Sequence, residues 1–134
     1  MRVIDASAIA KYLLREAHWE KVRDHLAAEP CSLDLALAEV ANAIWKHQVI
    51  YRKISSQEAA LLYEALQKVG AEVLVLESIM VYLRGATELA VNEKLSIYDA
   101  LYLVQAQKYG SIVTSDELLR TIAVNLGLDV VYIE

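Results

Sequence analysis

The chain has 134 residues, the length of one domain with room for a sizeable core. Hydrophobic residues make up 57% of it, above the roughly 45–50% of average domains, which excludes a disordered chain and suggests that some apolar surface is covered between subunits. The formal charge of −5 argues against a protein that holds nucleic acid by net positive charge, although carboxylates gathered around metal ions contribute negative charge of their own.

No apolar run approaches the ~18 residues of a membrane span, and Asp5 interrupts the first apolar stretch, so a signal-peptide pattern is missing. The single Cys31 has no internal disulfide partner. These features fit a cytoplasmic protein with no membrane association.

In chain order, Arg2–Ile4 reads as a short buried strand that runs through Asp5 into a helix over Ala6–Leu14. A second helix is expected over His18–Ala28, and Pro30 separates it from a short strand near Cys31–Leu33. A long helix follows from about Leu35 to Ile50. Ser55 or Ser56 caps a helix ending near Val69, and Glu58 can complete a capping box from Ser55. A strand over Glu72–Leu76 precedes a helix from about Ile79 to Asn92, and Ser96 starts the helix Ile97–Tyr109. Strand Ser111–Thr114, helix Asp116–Asn125 and strand Asp129–Tyr132 finish the chain. Gly70, Gly110 and Gly127 each stand between a helical pattern and an apolar or β-branched run, the place of a helix-ending glycine with φ > 0. Alternating strands and helices predict an α/β fold of three αβα layers around a parallel sheet of about five strands, in a single domain over residues 1–134.

Asp5 ends its strand at the carboxyl edge of the sheet, where ligands bind in open α/β folds. Asp116 follows another strand through Ser115 and falls on the same edge. Glu39 lies in a helix, Leu35 to Trp45, that is apolar nearly all round and therefore buried; a buried carboxylate needs a partner or a metal. Asp99 follows Ser96 and opens an equally apolar helix. Each acid has a structural reading. Asp116 can stabilise a helix N-terminus, Asp99 can complete a capping box, and Glu39 can pair weakly with Lys46 on the stripe Glu39, Asn42, Lys46. Taken jointly, four acids converge with no Lys or Arg close in sequence, and like charges so crowded raise one another's pKa. A hard divalent cation relieves that repulsion. His18, His25 and His47 lack the spacing of a zinc site. No nucleophile elbow surrounds Ser7, and no Gly-rich phosphate loop is present.

Val3-Ile4-Asp5-Ala6-Ser7, Glu39-Val40-Ala41-Asn42, Ser96-Ile97-Tyr98-Asp99-Ala100-Leu101-Tyr102 and Ile112-Val113-Thr114-Ser115-Asp116-Glu117-Leu118 resemble, in order, the motifs of PIN domains. Size and motif order are similar to those of the VapC-type toxins of toxin–antitoxin pairs. The resemblance spans the whole chain. It implies an endoribonuclease dependent on Mg²⁺ or Mn²⁺, commonly a homodimer, inhibited by a small antitoxin protein. The acidic quartet is then Asp5, Glu39, Asp99 and Asp116, which hold metal and carry the catalysis. Ser7, Thr114 and Asn42 are supporting groups, and Lys11, Arg15, Lys46, Arg52 and Lys53 are the basic residues best placed in sequence to meet RNA. Two other readings are a non-catalytic PIN-like binding module and a phospho-receiver-like domain. The latter needs an acidic pair after the first strand, where Asp5 stands alone.

Overall fold

A computed structural model describes residues Met1–Glu134. Its elements are β1 (Val3–Ile4), α1 (Ala6–Leu13), α2 (Glu20–Ala27), β2 (Cys31–Leu33), α3 (Leu35–Trp45), α4 (Ser56–Lys68), β3 (Val75–Glu77), α5 (Leu83–Glu93), α6 (Ile97–Tyr109), β4 (Ser111–Thr114), α7 (Glu117–Asn125) and β5 (Asp129–Tyr132). The five strands form one parallel sheet in the order β3-β2-β1-β4-β5. Parallel neighbours require crossovers, and right-handed ones fix which face each helix covers. The chain first moves from β1 outward to β3, carrying α1, α3 and α4, which pack on one another. It then returns past β1 to β4 and β5, carrying α5, α6 and α7 over the opposite face. The three αβα layers follow, with Ile4, Leu33, Leu103 and Ile112 among the fully buried side chains between them. No helix is long and apolar enough to cross a membrane.

The direction of winding reverses between β1 and β4. In open α/β sheets ligands bind beyond the carboxyl ends of the strands at such a reversal, and Asp5 and the Ser115–Asp116 pair directly follow β1 and β4 there.

Several boundaries differ from the sequence expectation. The long helix after Leu35 is regular only to Trp45; Lys46–Ile50 continue as a wider π-type turn, in which Tyr51 N–H reaches back to Lys46 O at 2.8 Å. The strand expected at Glu72–Leu76 begins at Val75, because Val69–Val73 extend α4 by another such turn. A short run of alternating apolar residues does not distinguish strand from helix end. Gly70 is correspondingly not a left-handed stop. It lies inside that turn, where an added Cβ would come within 2.9 Å of Leu37 Cδ2, the flexible tip of a side chain. Gly110 and Gly127 do take the left-handed conformation, at φ +87° and +81°. The Ser55–Glu58 capping box forms in both directions, at 3.1 and 3.2 Å. Ahead of α5, Ile79–Val81 make a 3₁₀ turn rather than the first turn of the helix.

Candidate active site

Asp5 is 3% exposed and N-caps α1, its Oδ1 accepting Ala8 N–H at 3.0 Å. Ser7 Oγ donates to the same oxygen at 2.7 Å, and Thr114 Oγ1 donates to Oδ2 at 2.5 Å. Thr114 is the last residue of β4, next to β1 in the sheet, so parallel pairing itself brings this hydroxyl to Asp5. Ser7 Oγ in turn accepts Ser115 N–H at 2.9 Å, and Thr114 Oγ1 accepts Asp116 N–H at 3.0 Å. Two short polar side chains thus clamp the ends of β1 and β4 together around one carboxylate. Burial raises the Asp5 carboxyl to about 6; the bonds from Thr114, Ser7 and Ala8 oppose the rise, and the Asp116 charge adds to it.

Asp116 N-caps α7, its Oδ1 accepting Leu119 N–H at 2.8 Å. Its structural role is therefore real, and it uses one carboxylate oxygen. Asp99 stands in the first turn of α6, where Ser96 Oγ accepts its N–H at 3.2 Å. The return bond of a full capping box is not made. Burial raises the Asp99 carboxyl and Asp116 raises it further, with the Ser96 hydroxyl opposing. Glu39, half-buried on α3, does not pair with Lys46. The two ion pairs of the protein are Arg2–Asp129 and Lys108–Glu77, and neither involves an acid of the quartet. Glu39 Oε1 instead accepts the Tyr102 hydroxyl at 2.7 Å. Burial raises the Glu39 carboxyl, the Tyr102 bond lowers it, and the Asp99 charge raises it.

The four acids therefore form a chain of mutual repulsion, Asp5 with Asp116, Asp116 with Asp99, and Asp99 with Glu39. No basic side chain offsets it. As the side chains stand, no three of them close around a point where an ion would be held. The donor chemistry still suits a hard cation: carboxylate oxygens, hydroxyls beside them, and charge left uncompensated.

A fifth acid at the same sheet edge provides the contrast. Glu77 ends β3 and accepts Tyr82 Oη at 2.7 Å, Gln105 Nε2 at 2.9 Å and Tyr109 Oη at 3.1 Å. Burial pushes its pKa up, but these donors and Lys108 outweigh burial and hold it below the usual range. Glu77 is a satisfied structural acid that ties β3 to α6.

The expected supporting and basic residues divide. Ser7 and Thr114 touch Asp5 directly. Asn42 and Lys46 line a cleft of about 420 Å³ between α1 and α3, together with Ser7 and Glu39. Lys11 is a correction. It is buried, and its Nζ donates to the Ala17 and Glu134 carbonyls at 3.1 and 2.9 Å, so its ammonium is tied into the fold. Arg15 lies over the Trp19 ring at 3.9 Å. With Lys53 it lines a larger, mainly apolar cleft of about 560 Å³ that contains none of the four acids. Arg52 is exposed with φ +52° and lines neither cleft. Tyr102 is a site residue that sequence reasoning does not single out. Its only signal is its position three residues after Asp99, on the same face of α6.

Acids without basic partners at the reversal point of a parallel αβα sheet define a class of protein, and known proteins agree with it. The PIN domain family model matches residues 2–125; the chain belongs to the PIN-domain family. It is similar to Ribonuclease VapC3 of Pyrobaculum aerophilum, with 35% identity over 122 residues, covering 87% of this chain and 90% of that protein. The crystal structure of PAE2754 from Pyrobaculum aerophilum superposes with a TM-score of 0.62 at 26% identity, covering 93% of this chain and 95% of that one.

Proposed function

We propose that the chain is a divalent-metal-dependent endoribonuclease, the toxin of a VapBC-type toxin–antitoxin pair, acting in the cytoplasm as a homodimer and restrained by a small antitoxin. The observation that carries the reading is the row of carboxylates without a cationic partner at the carboxyl edge of β1 and β4. The similarity to a protein named a ribonuclease supports the reaction class. Asp5 and Asp99 are the first-choice ligands of Mg²⁺ or Mn²⁺, with Asp116 and Glu39 holding it directly or through water. When bound, the ion neutralises the crowded charge and makes water a stronger nucleophile toward a phosphodiester. The chain's own residues do the rest. Ser7 and Thr114 fix the Asp5 carboxylate by bonds to both of its oxygens, and Tyr102 fixes Glu39. Capping α7 occupies only one oxygen of Asp116, which leaves the other free. Single-stranded or looped RNA suits a narrow acidic crevice better than a duplex, because its backbone bends and its bases are accessible.

The test is an RNA cleavage assay on wild type and Asp99→Asn, each with Mn²⁺ and with EDTA. Cleavage by the wild type with Mn²⁺ alone is expected. Equal cleavage in EDTA, or full activity in Asp99→Asn, overturns the reading.

A further inference from the structure

We propose that the cleft between α1 and α3 is a nucleotide subsite beside the scissile phosphate, in which Asn42 reads the edge of one unpaired base and Lys46 holds the next phosphate. The proposal rests on the ribonuclease reading above and deepens it.

The cleft reaches one of the four acids directly and a second through Ser7. Ser7, which bonds Asp5 at 2.7 Å, and Glu39 both line it. Its volume of about 420 Å³ falls in the roughly 300–1,000 Å³ range of small-ligand sites. Alanines from both helices, such as Ala10 and Ala38, form much of its surface, so the helices stay open where larger side chains would fill the space. Glu39 and Asn42 share one face of α3, and Lys46, four residues after Asn42 at the C-cap of α3, continues it. The Asn42 side chain is exposed and makes no hydrogen bond within the chain, and the Lys46 side chain is exposed and makes no ion pair. A free amide and a free ammonium on the wall of a cleft have no structural task in this fold.

Their chemistry and spacing favour a nucleic-acid strand. An amide offers two donors and an acceptor, the pattern that meets a base edge in two bonds at once. An ammonium is a point charge suited to phosphate. Lys46 lies ~10 Å along the helix axis from Glu39. A strand with its scissile phosphate at the acids passes one nucleoside beside Asn42 before its next phosphate meets Lys46. Sequence-specific recognition of RNA works on such unstacked bases.

The experiment uses a randomised single-stranded RNA pool with Mn²⁺, sequencing the cut ends produced by wild type, Asn42→Ala, Lys46→Ala and Ala38→Leu. Steady-state kinetics on a preferred oligonucleotide at several KCl concentrations complete it. Each variant changes an exposed residue, and melting temperatures report folding. The wild type is expected to prefer one nucleotide at a position adjoining the cut by roughly 10- to 100-fold. Asn42→Ala cuts more slowly and loses that preference. Lys46→Ala keeps the preference, raises KM, and lowers the slope of log KM against log salt by about 0.7. Ala38→Leu raises KM by narrowing the cleft. Cutting by Asn42→Ala with unchanged preference, or by Lys46→Ala and Ala38→Leu with unchanged KM, overturns the subsite while leaving the ribonuclease reading intact. No cutting of any RNA by folded wild type overturns both. Unchanged RNA kinetics together with loss of partner-protein inhibition in these variants would overturn the subsite and assign the cleft to the partner instead.

Discussion

Replacing Asp5 with asparagine separates a site carboxylate from a structural one. Burial raises the Asp5 carboxyl from 3.8 to about 6, so between those pH values the folded protein binds a proton that the unfolded chain has released. Stability therefore falls as pH rises from about 4 to 6, and above 6 the full penalty stands. A rise of that size is worth roughly 3 kcal/mol. The amide of Asp5→Asn carries no charge and escapes the penalty. Its oxygen can still accept from Ser7 and Ala8, but its nitrogen faces Thr114 Oγ1, which loses the acceptor that now lies at 2.5 Å; that mismatch costs about 1 kcal/mol. The net expectation is an Asp5→Asn protein about 1–2 kcal/mol more stable than wild type at pH 7.5 in EDTA. The gain should shrink to nothing or reverse near pH 4, where the folded carboxyl holds its proton and the unfolded one is about half protonated. Urea denaturation of both proteins at the two pH values measures this. A loss of more than about 1 kcal/mol that is the same at both pH values would refute the argument and make Asp5 a helix cap and sheet clamp first.

Divalent metal should stabilise the wild type at pH 7.5, by about 2.7 kcal/mol at a hundredfold excess over Kd, and less at pH 5, where protons compete for the raised carboxyls of Asp5, Glu39 and Asp99; thermal melts with Mn²⁺ read both, and no shift at millimolar metal counts against the site. Tyr102→Phe removes the 2.7 Å bond to Glu39 and should weaken the Mn²⁺ shift and slow cleavage roughly tenfold or more, since a hydrogen bond to a charged group is worth about 1.5–3 kcal/mol; a variant with wild-type metal affinity and rate would show that Glu39 needs no anchor. Gly110→Ala, at φ +87°, should cost about 1–2 kcal/mol although nothing crowds the position. Gly70→Ala, in helical backbone against the flexible tip of Leu37, should fall within about 0.5 kcal/mol of neutral; chemical denaturation compares the two, and equal effects would contradict the backbone argument.

Much of the fold is legible in the sequence because local signals and tertiary demands coincide. β2, β4 and β5 fall on the expected residues, each bounded by Pro30 or a glycine that ends the preceding element. The β3 region misleads because Val73, Val75 and Leu74, Leu76 give a strand pattern in either register, and Gly70 lies inside the turn that extends α4 instead of ending it. Among the acids, sequence singles out the four candidates by strand ends, apolar helices and the motif resemblance. It does not reveal that Glu77 collects the Tyr82, Gln105 and Tyr109 donors, while Glu39 collects only Tyr102. Lys11 misleads for a related reason. The carbonyls that hold it, at Ala17 and Glu134, lie six and 123 residues away, and the farther one is beyond any local pattern.

The structural and functional readings of the aspartates do not compete. Asp5 and Asp116 each spend one oxygen capping a helix, α1 and α7, and Asp99 sits in the first turn of a third, α6. Parallel strands deliver successive helix N-termini to one edge of the sheet, and each N-terminus carries partial positive charge that favours a nearby carboxylate by about 0.3–1 kcal/mol. The fold thereby offsets part of the repulsion before any cation arrives. Two consequences follow from that balance. The metal-free protein should fold, because Asp5 and Asp116 are retained by caps rather than by the ion. Metal affinity should depend on how much repulsion the caps leave uncompensated. That makes Glu39, which lies beyond the first turn of α3 and is held by Tyr102 alone, the acid whose position a single hydrogen bond decides.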